Sequence, residues 1–130
     1  MRQVKGNLIF FSVFQKGIDY DVNVENSLNV YQELKDRKVD VIRYLGKYKG
    51  EQELSFCINA NDWDNVLDLV MDSKQESVLF VTGDRNATLI YMGNKSPQKL
   101  GKFKKVPYDV AVEVDNWSYN PTNKSFFIVE

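Results

Sequence analysis

A chain of 130 residues, 43% of them hydrophobic, holds enough apolar material for one core and too little for two domains. With 17 basic against 18 acidic side chains and a net charge of −1, the composition advertises no basic face to nucleic acid. No histidine occurs, which excludes a Ser-His-Asp triad and removes the commonest metal ligand, and the lone Cys57 reads as a buried thiol in a reducing compartment, the cytoplasm.

The apolar run over residues 8–14 is broken by Ser12, is too short to span a membrane and lacks a small-residue cleavage site. Rich in β-formers, it predicts a buried first strand. After a polar loop, Val24, Leu28, Tyr31 and Leu34 recur at helical spacing and predict a helix over about residues 24–37, capped by Asn23. Residues 39–48 and 52–58 flank the turn-like Lys49-Gly50-Glu51 and predict a hairpin with that triplet at or near its tip. Asn61 or Asp62 caps a second predicted helix, striped by Trp63, Val66, Leu67, Leu69 and Val70 and ending near Ser73. Residues 77–82 and 87–92, joined by a Gly-, Asp- and Asn-rich turn, predict a second hairpin. Residues 99–106, 117–119 and 125–129 are further strand-like segments.

The order βαββαβ plus extra C-terminal strands predicts an α+β, ferredoxin-like antiparallel sheet with both helices on one face. Such a sheet leaves its other face partly apolar, and with 13% aromatics to cover, a homo-oligomer closing over that face is expected. Asp62, Asp64, Asp68 and Asp72 follow the polar side of the second helix and read as its wet face, so no metal site is assigned. Lys99, Lys102, Lys104 and Lys105 read as a solvated edge strand guarded by charge, and Trp63 and Trp117 as core or interface anchors.

The stretch over residues 46–56 sets Tyr48 and Glu53 on the two arms of one hairpin. From the residues alone two readings stand: a half-buried aromatic beside a solvated glutamate paired with Lys47 or Lys49, or a facing pair that binds a ligand. Further motifs surround it. Phe11-Ser12-Val13-Phe14 form an apolar-Ser-apolar-Phe strand, Asn23 precedes the first helix, Gly46-x-Tyr48 is followed by Glu53-x-Ser55, Gln75-Glu76-x-Val78-Leu79 opens the fourth strand, and Ala87-x-Leu89-Ile90-Tyr91 makes the fifth.

In this order and spacing the motifs resemble those of the bacteriophage S-adenosylmethionine (SAM) lyases, long called SAM hydrolases. The resemblance implies a PII-like fold assembled as a trimer with active sites between subunits, and cleavage of SAM to L-homoserine lactone and 5′-methylthioadenosine. The substrate's own carboxylate attacks its γ-carbon, so SAM is substrate and no cofactor or metal is implied. Carried onto this chain, Glu53 would hold the substrate ammonium and Tyr48 would position that end through its hydroxyl. Backbone N–H groups of Phe14, Gln15, Lys16 and Gly17 would hold the carboxylate. Gln75 and Ser77, flanking Glu76 at a strand start, either line the site or cap the preceding turn. The segment between Tyr48 and Glu53 is shorter than in the coliphage relatives, which leaves Glu51 as an alternative acid. The family further implies SAM depletion in the cytoplasm of an infected bacterium, countering restriction and modification. The alternative is a non-catalytic PII-like phage protein that binds a nucleotide metabolite or docks on a host protein. Neither reading calls for nucleic acid or a membrane.

Overall fold

The computed structural model describes residues 6–48, 51–114 and 116–130, the Tyr48 side chain excepted. In chain order the elements are β1 (Leu8–Phe11), α1 (Tyr20–Asp36), β2 (Val41–Tyr48), β3 (Glu51–Asn59) and a 3-10 turn (Ala60–Asn65) running into α2 (Leu67–Asp72). There follow β4 (Ser77–Val81), β5 (Asn86–Tyr91), β6 (Gln98–Val106), α3 (Tyr108–Ala111), β7 (Trp117–Asn120) and β8 (Ser125–Val129). The strands close into a barrel in the order β1-β3-β2-β7-β8-β6-β5-β4, with β4 pairing back onto β1 and every neighbour antiparallel.

This corrects the expected open ferredoxin-like, PII-like sheet with two helices on one face. The predicted succession from β1 to β4 is present, but the sheet continues through β5, β6, β8 and β7 and returns to β2. The predicted second helix is a 3-10 turn followed by only six α-helical residues. The physical reason lies in β1, whose four residues are all buried. Ile9 and Phe11 pack outward with Phe56, Ile58 and Val78 beneath Leu34 of α1 and Val66 and Val70 around α2. Leu8 and Phe10 point the other way, into the barrel, against Tyr44, Cys57, Val81, Ala87 and Phe103.

The face expected to await a second copy is therefore covered by the chain's own C-terminal strands. The Phe10 ring lies 5.0 Å from Tyr44 and 5.0 Å from Phe103, and Phe103 stacks on Phe127 of β8 at 4.9 Å. Eight strands enclose an interior just wide enough for such side chains to fill.

Closure uses a β-bulge where the β5–β6 register shifts between Ala87 and Thr88. Beside it Gly101 adopts φ +122°, and a Cβ there would come within 2.5 Å of the Glu130 carbonyl oxygen. Lys102 and Glu130 exchange backbone hydrogen bonds of 2.9 and 2.8 Å at this crossing, so only glycine admits the approach. Strand β6 is thus paired on both sides, and its lysines do not guard an edge as expected; Lys104 pairs with Glu130 and the Lys102 ammonium donates to the Asp84 carbonyl.

Helix α1 begins before the predicted start, with Asp19 at its N-cap, because Asn23 serves another purpose described below. At its far end Arg37 donates to Asp68 at 2.7 and 2.9 Å and to Glu33 at 2.9 Å, tying α1 to α2 across the surface. One member of the aspartate series is thereby committed to an ion pair. No described helix is long and apolar enough to cross a membrane.

Candidate active site

Strand register decides which side chains share the barrel interior. Cross-strand partners lie on one face, so the inward-facing pair Cys57 and Ile42 is followed along β3 and β2 by Ser55 with Tyr44 and then by Glu53 with Gly46. Along β7, Ser118 pairs with Gly46 and continues that inward row. The interior thus changes character along its length. One end holds Phe10, Cys57, Val81 and Phe103, while the other holds Ser12, Ser55 and Ser118, all buried, with Glu53 half-buried at the rim.

Glu53 is the chemically distinctive member. Burial pushes its carboxyl above the ordinary range, the neighbouring Glu51 adds to that, and the Ser12 hydroxyl opposes it. Directly across the hairpin stands Gly46, so no side chain covers the carboxyl from β2 at that register. Glu51 is exposed and pairs with Tyr48 nearer the turn, so burial separates the two acids and marks Glu53 as the desolvated one. Tyr48 pairs by its backbone with Glu51 rather than Glu53, and its side chain lies outside the described residues, as do Lys49 and Gly50 of the predicted hairpin tip.

The loop after β1 is built to a definite shape. Ser12 donates to the Leu54 carbonyl at 2.9 Å and accepts the Phe14 N–H at 3.1 Å, which fastens the strand end to β3. Asn23, predicted as a helix cap, instead sits buried in the first turn of α1 and clasps the loop backbone. Its Oδ1 accepts the Gln15 N–H at 2.9 Å and its Nδ2 donates to the Gln15 carbonyl at 3.0 Å. Gly17 adopts φ +78°, a left-handed conformation that favours glycine and turns the chain towards α1. Of the four N–H groups expected to meet an anion, those of Phe14 and Gln15 are therefore engaged within the fold. Lys16 and Gly17, both exposed, are the remaining candidates.

Gln75 reaches the same loop by donating from Nε2 to the Phe14 carbonyl at 2.7 Å. It acts on the loop as a clamp across 61 positions of sequence. Ser77 begins β4 opposite Tyr91, on the inward face shared with Leu79 and Val81, and is half-buried. The structure so brings Ser12, Phe14 and Gln75 into one hydrogen-bonded chain beside Glu53. Sequence reasoning assigned no role to Ser12 or Ser55; the usable signal was a lone hydroxyl inside an otherwise apolar strand.

Two surface clefts lie elsewhere. One, of about 290 Å³, runs between α1 and the outer face of β2 and β3, lined by Leu28, Tyr31, Arg43 and Leu54, with the Arg43 guanidinium 4.5 Å from the Tyr31 ring centroid. The other, of about 410 Å³, lies by Tyr108 and Phe126. Neither is lined by Glu53.

No curated protein sequence matches the chain at a significant level. The model of the S-adenosylmethionine lyase family matches residues 9–130, from the second residue of β1 through the last strand, and spans Ser12, the loop it anchors, Glu53 and Gln75. With a match that takes in all of the barrel strands but the first residue of β1, and every described part of the candidate site, the chain belongs to the S-adenosylmethionine lyase family, a family of lyase enzymes.

Proposed function

We propose that the protein cleaves SAM into L-homoserine lactone and 5′-methylthioadenosine. The substrate's carboxylate oxygen bonds to its own γ-carbon, the C–S bond breaks, and the electron pair leaves with sulfur to give a neutral thioether. No proton, water or enzyme nucleophile enters the balance. What the protein supplies is conformation, holding carboxylate and γ-carbon in line with the leaving sulfonium, and exclusion of water from the attacking oxygen.

The observation that carries this reading is the half-buried Glu53 carboxyl, facing inward across from a glycine and touched by Ser12. A desolvated carboxylate is a strong partner for the substrate ammonium, and it holds that end without placing a cation beside the attacking carboxylate. The Lys16 and Gly17 N–H groups are the loop's donors for the carboxylate, and Tyr48 completes the ammonium end.

The active site lies between subunits of a trimer. Ile18, Tyr20, Val22 and Leu28 are exposed large apolar residues on and just before α1, adjoining the same loop, and the Tyr20 ring meets Phe14 edge-on at 5.7 Å. An apolar rim beside an incomplete site fits a neighbour's approach. Acting in the cytoplasm of an infected bacterium, the enzyme would deplete SAM and so blunt host restriction and modification.

The test is incubation of purified protein with SAM and chromatographic separation of products. Homoserine lactone and methylthioadenosine in equal amounts are expected, with homoserine appearing only later as the lactone opens. Homoserine formed before lactone would mean hydrolysis, and SAM bound without turnover would mean a binding protein.

A further inference from the structure

Ser55 is buried to 2% exposure, and its hydroxyl makes no hydrogen bond among the described residues. A buried hydroxyl without a partner costs roughly 1–3 kcal/mol, so a fold keeps one at a loss unless another state of the molecule uses it. Its surroundings limit what that use is. Ser55 lies two residues from Glu53 on β3, on the same inward face, with Tyr44 across from it on β2. Ser12, the nearest hydroxyl from β1, already donates to Leu54 and accepts from Phe14. Ser12 has one proton and cannot give it to both the Leu54 carbonyl and the Glu53 carboxylate. An ionised Glu53 therefore lacks a full set of donors on its buried side, while Ser55 holds one in reserve.

We propose that Ser55 is a positioning residue: when Glu53 is ionised and holds a substrate ammonium, Ser55 donates its hydroxyl proton to the inner carboxylate oxygen and aims the outer one at the ligand. This rests on the reading of Glu53 as the ammonium-binding group. By register the groups nearest Glu53 are Tyr44 and Gly46 of β2 and Ser118 of β7, with Glu51 on its own strand and Ser12 beyond β1. Lys105 of β6 shares the inward face through Phe127 and Ser118 but is exposed, so the buried groups named here include no cation. A hydroxyl donor is thus the available means of favouring the charged form from within.

The experiment compares wild type, Ser55→Ala, Ser55→Cys and Ser55→Thr, with Glu53→Gln as control, by Tm without ligand and by the pH profile of kcat/KM for SAM. Ser55→Ala is expected to keep or raise Tm, because it deletes a group with no partner among the described residues. It should lower kcat/KM on the order of tenfold and move the acidic limb to higher pH, since loss of a donor disfavours the ionised carboxyl. Ser55→Cys, nearly isosteric but a weak donor, should behave like alanine, and Ser55→Thr should restore activity and limb together. If the alanine and cysteine variants keep the wild-type kcat/KM and limb while wild type cleaves SAM and Glu53→Gln is impaired, Ser55 has no such role and the Glu53 reading stands. Lower Tm in both variants with an unmoved limb makes Ser55 merely structural. Wild type that neither binds nor cleaves SAM, or Glu53→Gln with full activity, overturns both ideas.

Discussion

The two ends of the barrel interior are built from the same strands and do opposite things. At one end Phe10, Cys57, Val81 and Phe103 form a dry aromatic and aliphatic plug; two or four residues further along, Ser12, Ser55 and Ser118 surround the rim where Glu53 stands. The first end holds the barrel shut. The second carries polar groups that hydrophobic packing does not require, including a hydroxyl with no partner among the described residues and a carboxyl raised by desolvation. Apolar packing and polar groups are thus divided along the strands rather than between elements.

The largest expected effect breaks the dry end. Phe10→Ala removes a ring that touches both Tyr44 and Phe103, and should cost about 3–5 kcal/mol in denaturant unfolding, with activity lost only in proportion to folded protein. Specific inactivation at full foldedness would show that the plug also shapes the site.

Glu53→Gln addresses the other end. Loss of one charged hydrogen-bond partner, about 1.5–3 kcal/mol, should lower kcat/KM on the order of tenfold to hundredfold. Its stability should move the opposite way. The folded-state pKa of Glu53 lies above the unfolded value, so the folded form binds the proton more tightly. The favourable contribution is therefore complete at pH below the unfolded value and disappears as pH rises through the folded one. At neutral pH the variant should melt at or above the wild-type temperature, and a lower Tm would contradict the assigned desolvation.

A smaller effect is expected at Cys57, where burial pushes the thiol up to about 12. It should resist alkylation at neutral pH in the native state and react on unfolding, while Cys57→Ser, placing an unpaired hydroxyl in the dry end, should cost roughly 1–3 kcal/mol. Rapid native labelling would mean that this end opens.

The smallest belongs to the surface. Arg37 holds the Asp68 carboxyl below the ordinary carboxylate range, but the pair lies at the surface with the Asp68 side chain largely and the Arg37 side chain partly exposed, and Arg37→Ala should cost at most about 1 kcal/mol, less in high salt.

Alternation and turn chemistry made the chain readable as far as β5. The strand over residues 8–11, a helix ending near Arg37, the β2–β3 pair and the β4–β5 pair follow from local periodicity and from Gly and Asn at the turns. The short helix α3 was not foreseen, because four residues carry no period to detect. Asn23 was misjudged because a residue suited to capping looks the same in sequence when it clasps a loop eight residues back. Glu53 was singled out through its motif and its burial came only from the structure, while Ser55 was only a letter in that motif, since its lack of a partner among the described residues is a property of packing.

Taken alone, the amino-acid order determined most of the strand segments and the first helix, the succession from β1 to β4, and the motifs that tie the chain to a family. Tertiary structure decided that the sheet closes on itself. An apolar residue at every second position shows that a face is buried, not what buries it, and a second copy or the chain's own distant strands satisfy the pattern equally. The choice rests on pairings far apart in sequence, β2 with β7 and β1 with β4, and on one glycine beside the C-terminal Glu130. Those are paired through backbone groups that every residue carries, so the side chains leave no local sign of them.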